Sequence, residues 1–152
     1  MPKKILIGDF FQFEVSGGYG HFIVTHFHPE WGYLIRVQGA VHIELPTDYE
    51  KISRRATRQI SFYPIGIGIE DGLVWKVGHF EIPDDLAEFP QFRSNVKGEN
   101  GEYSTPWTIW NGKKSFTIAE LGEARHLPIR EIITHAVMVE RVEQKYRIYN
   151  DI

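Results

Sequence analysis

Phe11-Gln12-Phe13-Glu14-Val15-Ser16-Gly17-Gly18-Tyr19-Gly20-His21-Phe22-Ile23-Val24-Thr25-His26-Phe27-His28 is the stretch on which the reading of the fold turns. Phe11, Phe13 and Val15 alternate with Gln12 and Glu14, the period of a strand with one buried face. The glycines at 17, 18 and 20 can supply the backbone freedom that a tight reversal demands, so a hairpin is expected there. Residues 21–28 read as its return strand, dense in β-branched and aromatic side chains, and Pro29, which has no amide donor, stops it. Residues 33–38 predict a third strand.

Working outward, residues 47–58 carry Asp48, Glu50, Lys51, Arg54, Arg55 and Arg58 with few apolar anchors, which predicts a loop or a short exposed helix. Residues 61–69 place Tyr63, Ile65, Ile67 and Ile69 on one side and Phe62, Pro64, Gly66 and Gly68 on the other. That pattern predicts a strand with one bare face, turned at Glu70-Asp71-Gly72 into an antiparallel partner over 73–82. Residues 83–106 lose any sustained period and read as a long loop, with Phe89, Phe92 and Tyr103 aromatic enough to pin it to the sheet. Asn111-Gly112, between 107–110 and 115–118, is the most specific short hairpin signal in the chain. From Thr134, an N-cap residue type, Val139, Val142, Tyr146 and Tyr149 recur at helical spacing. The expected architecture is a β-rich α+β domain over residues 1–152: a strongly curved, barrel-like antiparallel sheet followed by one C-terminal amphipathic helix.

Of the 152 residues, 42% are hydrophobic and 24% charged, which excludes a disordered chain and predicts a packed core. A formal charge of −3 gives no support to a general nucleic-acid binder. Cysteine is absent, so disulfide frameworks, thiolate zinc sites and cysteine nucleophiles are excluded together. The N-terminal apolar run is too short for an export signal, and no run approaches the roughly 20 residues that span a bilayer. The expectation is a soluble cytoplasmic protein without a membrane partner.

His26-Phe27-His28 is the sharpest chemical motif: alternate strand residues share a face, two imidazoles so placed can chelate a divalent metal, and Glu30 offers a third ligand. The wider string from Gly20 through His26, His28 and Gly32 to Gly39 resembles the first cupin motif. Gly32 stands where that family has a metal-binding Glu, and Ile69 stands where its second motif has a His. A cupin-like metal-dependent enzyme or small-ligand binder built on His26 and His28 is therefore the alternative reading. Gly18-Tyr19-Gly20 and Gly66-Ile67-Gly68 lack the third glycine and the following helix of a phosphate-binding loop. No G-x-S-x-G elbow or H-E-x-x-H pair occurs, so no catalytic residue is assigned and no cofactor is called for.

Charge is unevenly spread. Residues 70–102 hold eight acids against three bases, a local balance of −5, while the rest of the chain is +2. An acidic, aromatic-studded segment suits a basic protein partner, since opposite fields speed encounter and aromatic anchors supply contact energy. Asp84, Asp85, Glu88 and Phe92, with Trp107 and Trp110, are the candidate contact residues. The basic run Lys51, Arg54, Arg55 and Arg58 offers a third possibility, contact with a phosphate backbone, but it lacks interleaved aromatics.

Ile7-Gly8-Asp9-Phe10-Phe11, Gly18-Tyr19-Gly20-His21-Phe22-Ile23-Val24, and Trp75-Lys76-Val77-Gly78-His79-Phe80-Glu81-Ile82-Pro83 followed by Phe89-Pro90-Gln91-Phe92 carry a family resemblance. In these blocks the chain resembles the bacterial polymorphic-toxin immunity proteins catalogued as immunity protein twenty-six. The match continues through Trp107-Thr108-Ile109-Trp110 and Leu121-Gly122. The resemblance implies a small antitoxin that binds a cognate toxin domain and blocks it without doing chemistry. Gly8, Asp9, Gly20, Trp75, Gly78, Pro90 and Phe92 carry the match and are expected to be structural.

Overall fold

The computed structural model describes residues 4–95 and 107–145. Strands β1 (Asp9–Val15), β2 (Gly18–His28), β3 (Gly32–Gln38), β4 (Thr57–Phe62) and β5 (Val74–His79) form an antiparallel sheet in the order β4-β3-β2-β1-β5. Strands β6 (Phe92–Ser94), β7 (Trp107–Trp110) and β8 (Ser115–Ile118) form a second antiparallel sheet. Helices α1 (Tyr49–Ser53), α2 (Ile65–Glu70) and α3 (His135–Glu143), with 3-10 turns at Asp84–Leu86 and Gly122–His126, complete the described elements. None is long and apolar enough to cross a membrane.

The first hairpin follows the alternating pattern. Phe13 lies opposite Gly20, and a Cβ at Gly20 would stand 2.6 Å from Phe13 Cζ, so the ring fills the space over a residue that must be glycine. Phe11, Phe13, Phe22, Val24, Ile35 and Val37 point to one face, where Met138 and Val142 of α3 close the largest core. Thr134 caps α3 as its spacing predicts, its hydroxyl accepting from the Val137 amide. The helix ends at Glu143, so expected members Tyr146 and Tyr149 lie outside the described residues.

Three expectations are corrected. Residues 61–69 are not one strand: β4 stops at Phe62, and Ile65–Glu70 forms α2 with Pro64 at its N-cap. Only Ile65 and Gly68 of that helix are buried, a spacing of three, and Ile67 is largely exposed, so the alternating isoleucines never shared a buried sheet face. The strand after it, β5, pairs with β1 across the far side of the sheet instead of with its sequence neighbour. Nor is there one barrel-like sheet. The described strands form two open sheets because residues 128–133 seam them: Pro128 and Arg130 bond to the backbone of Arg93 in β6, then Glu131 and Ile133 to Phe62 in β4. That seam covers the β4 edge, which closure of a barrel would have needed.

Candidate functional site

The site grows out of an irregularity in β2. Val24 pairs with Ile35 but His26 pairs with Leu34, leaving Thr25 as an extra residue. A strand turns over at every residue, so this bulge moves His26 and His28 to the face opposite Val24, beside Leu34 and Phe62. On that face lies the second sheet. His26 Nε2 donates to the Ala87 carbonyl at 2.9 Å and its Nδ1 meets Thr25 Oγ1 at 3.0 Å. His28 Nε2 donates to the Gly112 carbonyl at 2.8 Å, and its Nδ1 accepts from the Glu30 amide at 3.1 Å. All four ring nitrogens are thus used in protein hydrogen bonds. Glu30 contributes its backbone, its residue is exposed, and no metal-holding group of three His, Asp or Glu occurs among the described residues. The two histidines are clasps that hold the 84–89 segment and the β7–β8 turn onto the large sheet.

The clasped segment presents the acids. Asp84–Leu86 makes a single 3-10 turn, and Asp84, Asp85 and Glu88 are all exposed. Phe89 turns inward and packs on His26 at 5.3 Å and on Trp110 at 5.6 Å between ring centroids, anchoring the segment from beneath. Phe92, Trp107 and Trp110 do not join this surface. They are 0%, 5% and 7% exposed and build the interior of the second sheet, with Phe92 and Trp110 packed on Phe62. Phe92 and Trp110 pair across β6 and β7 and face the large sheet, whereas Trp107, an odd three residues from Trp110, lies on the opposite face beneath the Arg93 guanidinium.

Behind the acids opens a cavity of about 600 Å³ whose lining includes Arg36, Asp85, Glu88, Phe89, Asn111 and Lys113. Arg36 comes from the middle of β3 and is only 9% exposed. Its Nε is buried with no hydrogen-bond partner among the described residues. Burial holds its pKa below the usual arginine value, and the negative charge of Asp85 acts in the opposite sense. Sequence reasoning missed Arg36. Its only signal was a lone base in an apolar strand, Tyr33-Leu34-Ile35-Arg36-Val37.

Two further polar groups lie outside this cavity's lining. Tyr49 and His21 both donate to Gln12 Oε1, at 2.9 and 2.8 Å, beneath α1. His21 is fully buried against Phe10, and desolvation, helped by His42, pushes its pKa down to about 4, so it is neutral at pH 7. At the β1–β5 junction, Asp9 is 1% exposed and its Oδ1 meets His79 Nδ1 at 2.8 Å and Lys76 Nζ at 3.0 Å. Burial raises the Asp9 pKa, but the Leu6 amide, His79 and Lys76 outweigh it and hold the carboxyl below its ordinary value. A carboxylate that fixes a half-exposed imidazole is the geometry of a general-base pair, yet no hydroxyl hydrogen-bonds to His79 among the described residues.

The remaining sequence candidates have structural places. Gly8 has φ +98° and a Cβ there would stand 2.5 Å from the Phe80 carbonyl oxygen. Gly78 lies under the Phe80 ring, Trp75 packs edge-on to Tyr19, and Pro90 lines the Arg36 cavity. Arg54 pairs with Glu50 at 3.3 Å, and the Arg58 stem covers Gly39. Comparison with family models, curated proteins and solved structures finds no match for this chain.

Proposed function

We propose that this chain is an immunity protein of the cytoplasm, one that binds a cognate, basic toxin domain by direct contact and blocks it without catalysis. The observation that carries the reading is the acidic shelf. Asp84, Asp85 and Glu88 are exposed, yet their segment is held by the His26–Ala87 hydrogen bond and by Phe89 packed inward. A charged surface already fixed in position loses little freedom on binding, and its field steers a partner of opposite sign. The motif resemblance supports the same reading and supplies the partner class.

The test requires a toxin domain encoded beside this gene, and a neighbourhood without one would count against the reading. Changing Asp84, Asp85 and Glu88 together to Lys is expected to slow association by about ten-fold or more at low salt and to flatten its ionic-strength dependence. Surface plasmon resonance measures both. Unchanged association kinetics would remove the shelf from the interface, and failure of the wild-type chain to protect cells from that toxin would overturn the reading as a whole.

A further inference from the structure

The molecule contains an internal comparison for Arg36. Arg93 is also buried, at 0% exposure, but its Nε donates to the Leu127 carbonyl at 2.9 Å and its guanidinium lies 5.1 Å over the Trp107 ring. That is how a guanidinium is housed when its task is to hold the fold together. Arg36 is housed differently. Among the described residues its side chain makes no hydrogen bond and has no carboxylate within 4 Å. Its charge is delivered to a cavity of about 600 Å³, within the range of small-ligand sites. A planar fork of donors without an acceptor is matched by a carboxylate.

The same lining decides what else the ligand carries. Asp85 and Glu88 bring two negative charges to the cavity, against the positive charges of Arg36 and Lys113. A dianion such as phosphate would be repelled by the two acids, whereas a ligand with one charge of each sign complements both groups. Phe89 supplies an apolar wall for the carbon skeleton between them. We propose that this cavity binds a small zwitterion, its carboxylate on Arg36 and its ammonium group on Asp85 and Glu88. The site is formed by this chain alone, so it is tested without a toxin; a toxin docked on Asp85 and Glu88 would compete with the ligand for them.

Isothermal titration of the purified full chain with γ-aminobutyrate, butyrate, butylammonium and inorganic phosphate, at constant ionic strength, tests the assignment, with the Arg36 Nε–H resonance followed by NMR. γ-Aminobutyrate is expected to bind at least ten-fold tighter than the other three and to shift that resonance. Arg36→Gln should lose at least ten-fold in affinity, and Asp85→Asn with Glu88→Gln should bring γ-aminobutyrate to the level of butyrate. Should Arg36→Gln not fold, the double variant at the two exposed acids carries the test. Tighter binding of phosphate, equal binding of γ-aminobutyrate and butyrate, undiminished affinity in these variants, or no binding of γ-aminobutyrate would each overturn it.

Discussion

Two different covers lie on one face of the five-stranded sheet. Over β3 and β4 sits the second sheet, held by ring packing among Phe62, Phe89, Phe92 and Trp110 and by the two histidine clasps. Over β1 and β2 sits α1, where Ile52 meets Phe10 and Ile23 but polar groups share the contact: Tyr49 on Gln12, and Gln38 Nε2 on the Ile52 carbonyl at 2.6 Å. The first cover is nearly dry, so its stability rests on buried apolar area. The second depends on the hydrogen bonds at Gln12 and Gln38 and on the protonation state of His21. Arg36 belongs to neither arrangement, and that is why it, of all the buried polar residues, reads as a ligand group.

The largest way to break the contrast is through the dry cover. Phe92→Ala deletes a fully buried ring and is expected to cost about 3–5 kcal/mol in denaturant unfolding. A loss below about 1 kcal/mol would mean that the second sheet is not packed as described. The polar cover should instead respond to acid. The folded pKa of His21 lies near 4 against 6.5 when unfolded, so the unfolded chain binds the extra proton between those values. Stability contributed by neutral His21 is complete above about pH 6.5 and is lost as pH falls toward 4, by about 3 kcal/mol. His42 and His135 are displaced in the same direction by burial, so the measurement is the difference between wild type and His21→Gln over that window. Parallel stability curves for the two would contradict a neutral, buried imidazole.

A smaller effect is expected at the clasps. His28→Ala removes the bond to Gly112 and the edge contact with Trp110, at a cost of about 1–2 kcal/mol. Hydrogen exchange should locate the loosening in the β7–β8 turn and leave α1 protected; equal loosening in α1 would mean that the two covers unfold as one. The smallest effect serves as the control. Arg54→Ala breaks an exposed pair with Glu50 on the outer side of α1 and should change stability by no more than about 0.5 kcal/mol.

How much of this was legible in the chain follows from the range of each signal. The β1–β2 hairpin, the turn at Asn111-Gly112 and the Thr134 cap are local, each written in a few adjacent residues, and all three are where the pattern places them. The Ile65-Gly66-Ile67-Gly68-Ile69 run misled because alternation by itself does not say whether a neighbour exists to bury it. Pairing of β5 with β1, and of residues 128–133 with two strands at once, joins parts of the chain far apart in order and leaves no local trace. For the site, the exposed acids were readable from charge. The aromatic candidates were not, because nothing in the spacing of Phe92, Trp107 and Trp110 tells an inward ring from an outward one. Arg36 needed the cavity to be seen at all.

The additional residue at Thr25 has one more implication. Upstream of it, β2 matches β1 step for step; downstream, the ribbon's inside and outside have been exchanged. Were Thr25 paired in regular register with Leu34 instead of bulged, Phe27 would turn toward the second layer and both imidazoles away from Ala87 and Gly112, unfastening the acidic ledge while leaving the opening hairpin intact. The placement of the acidic segment therefore hangs on how one extra residue is accommodated in β2, some sixty positions before the carbonyl that His26 holds.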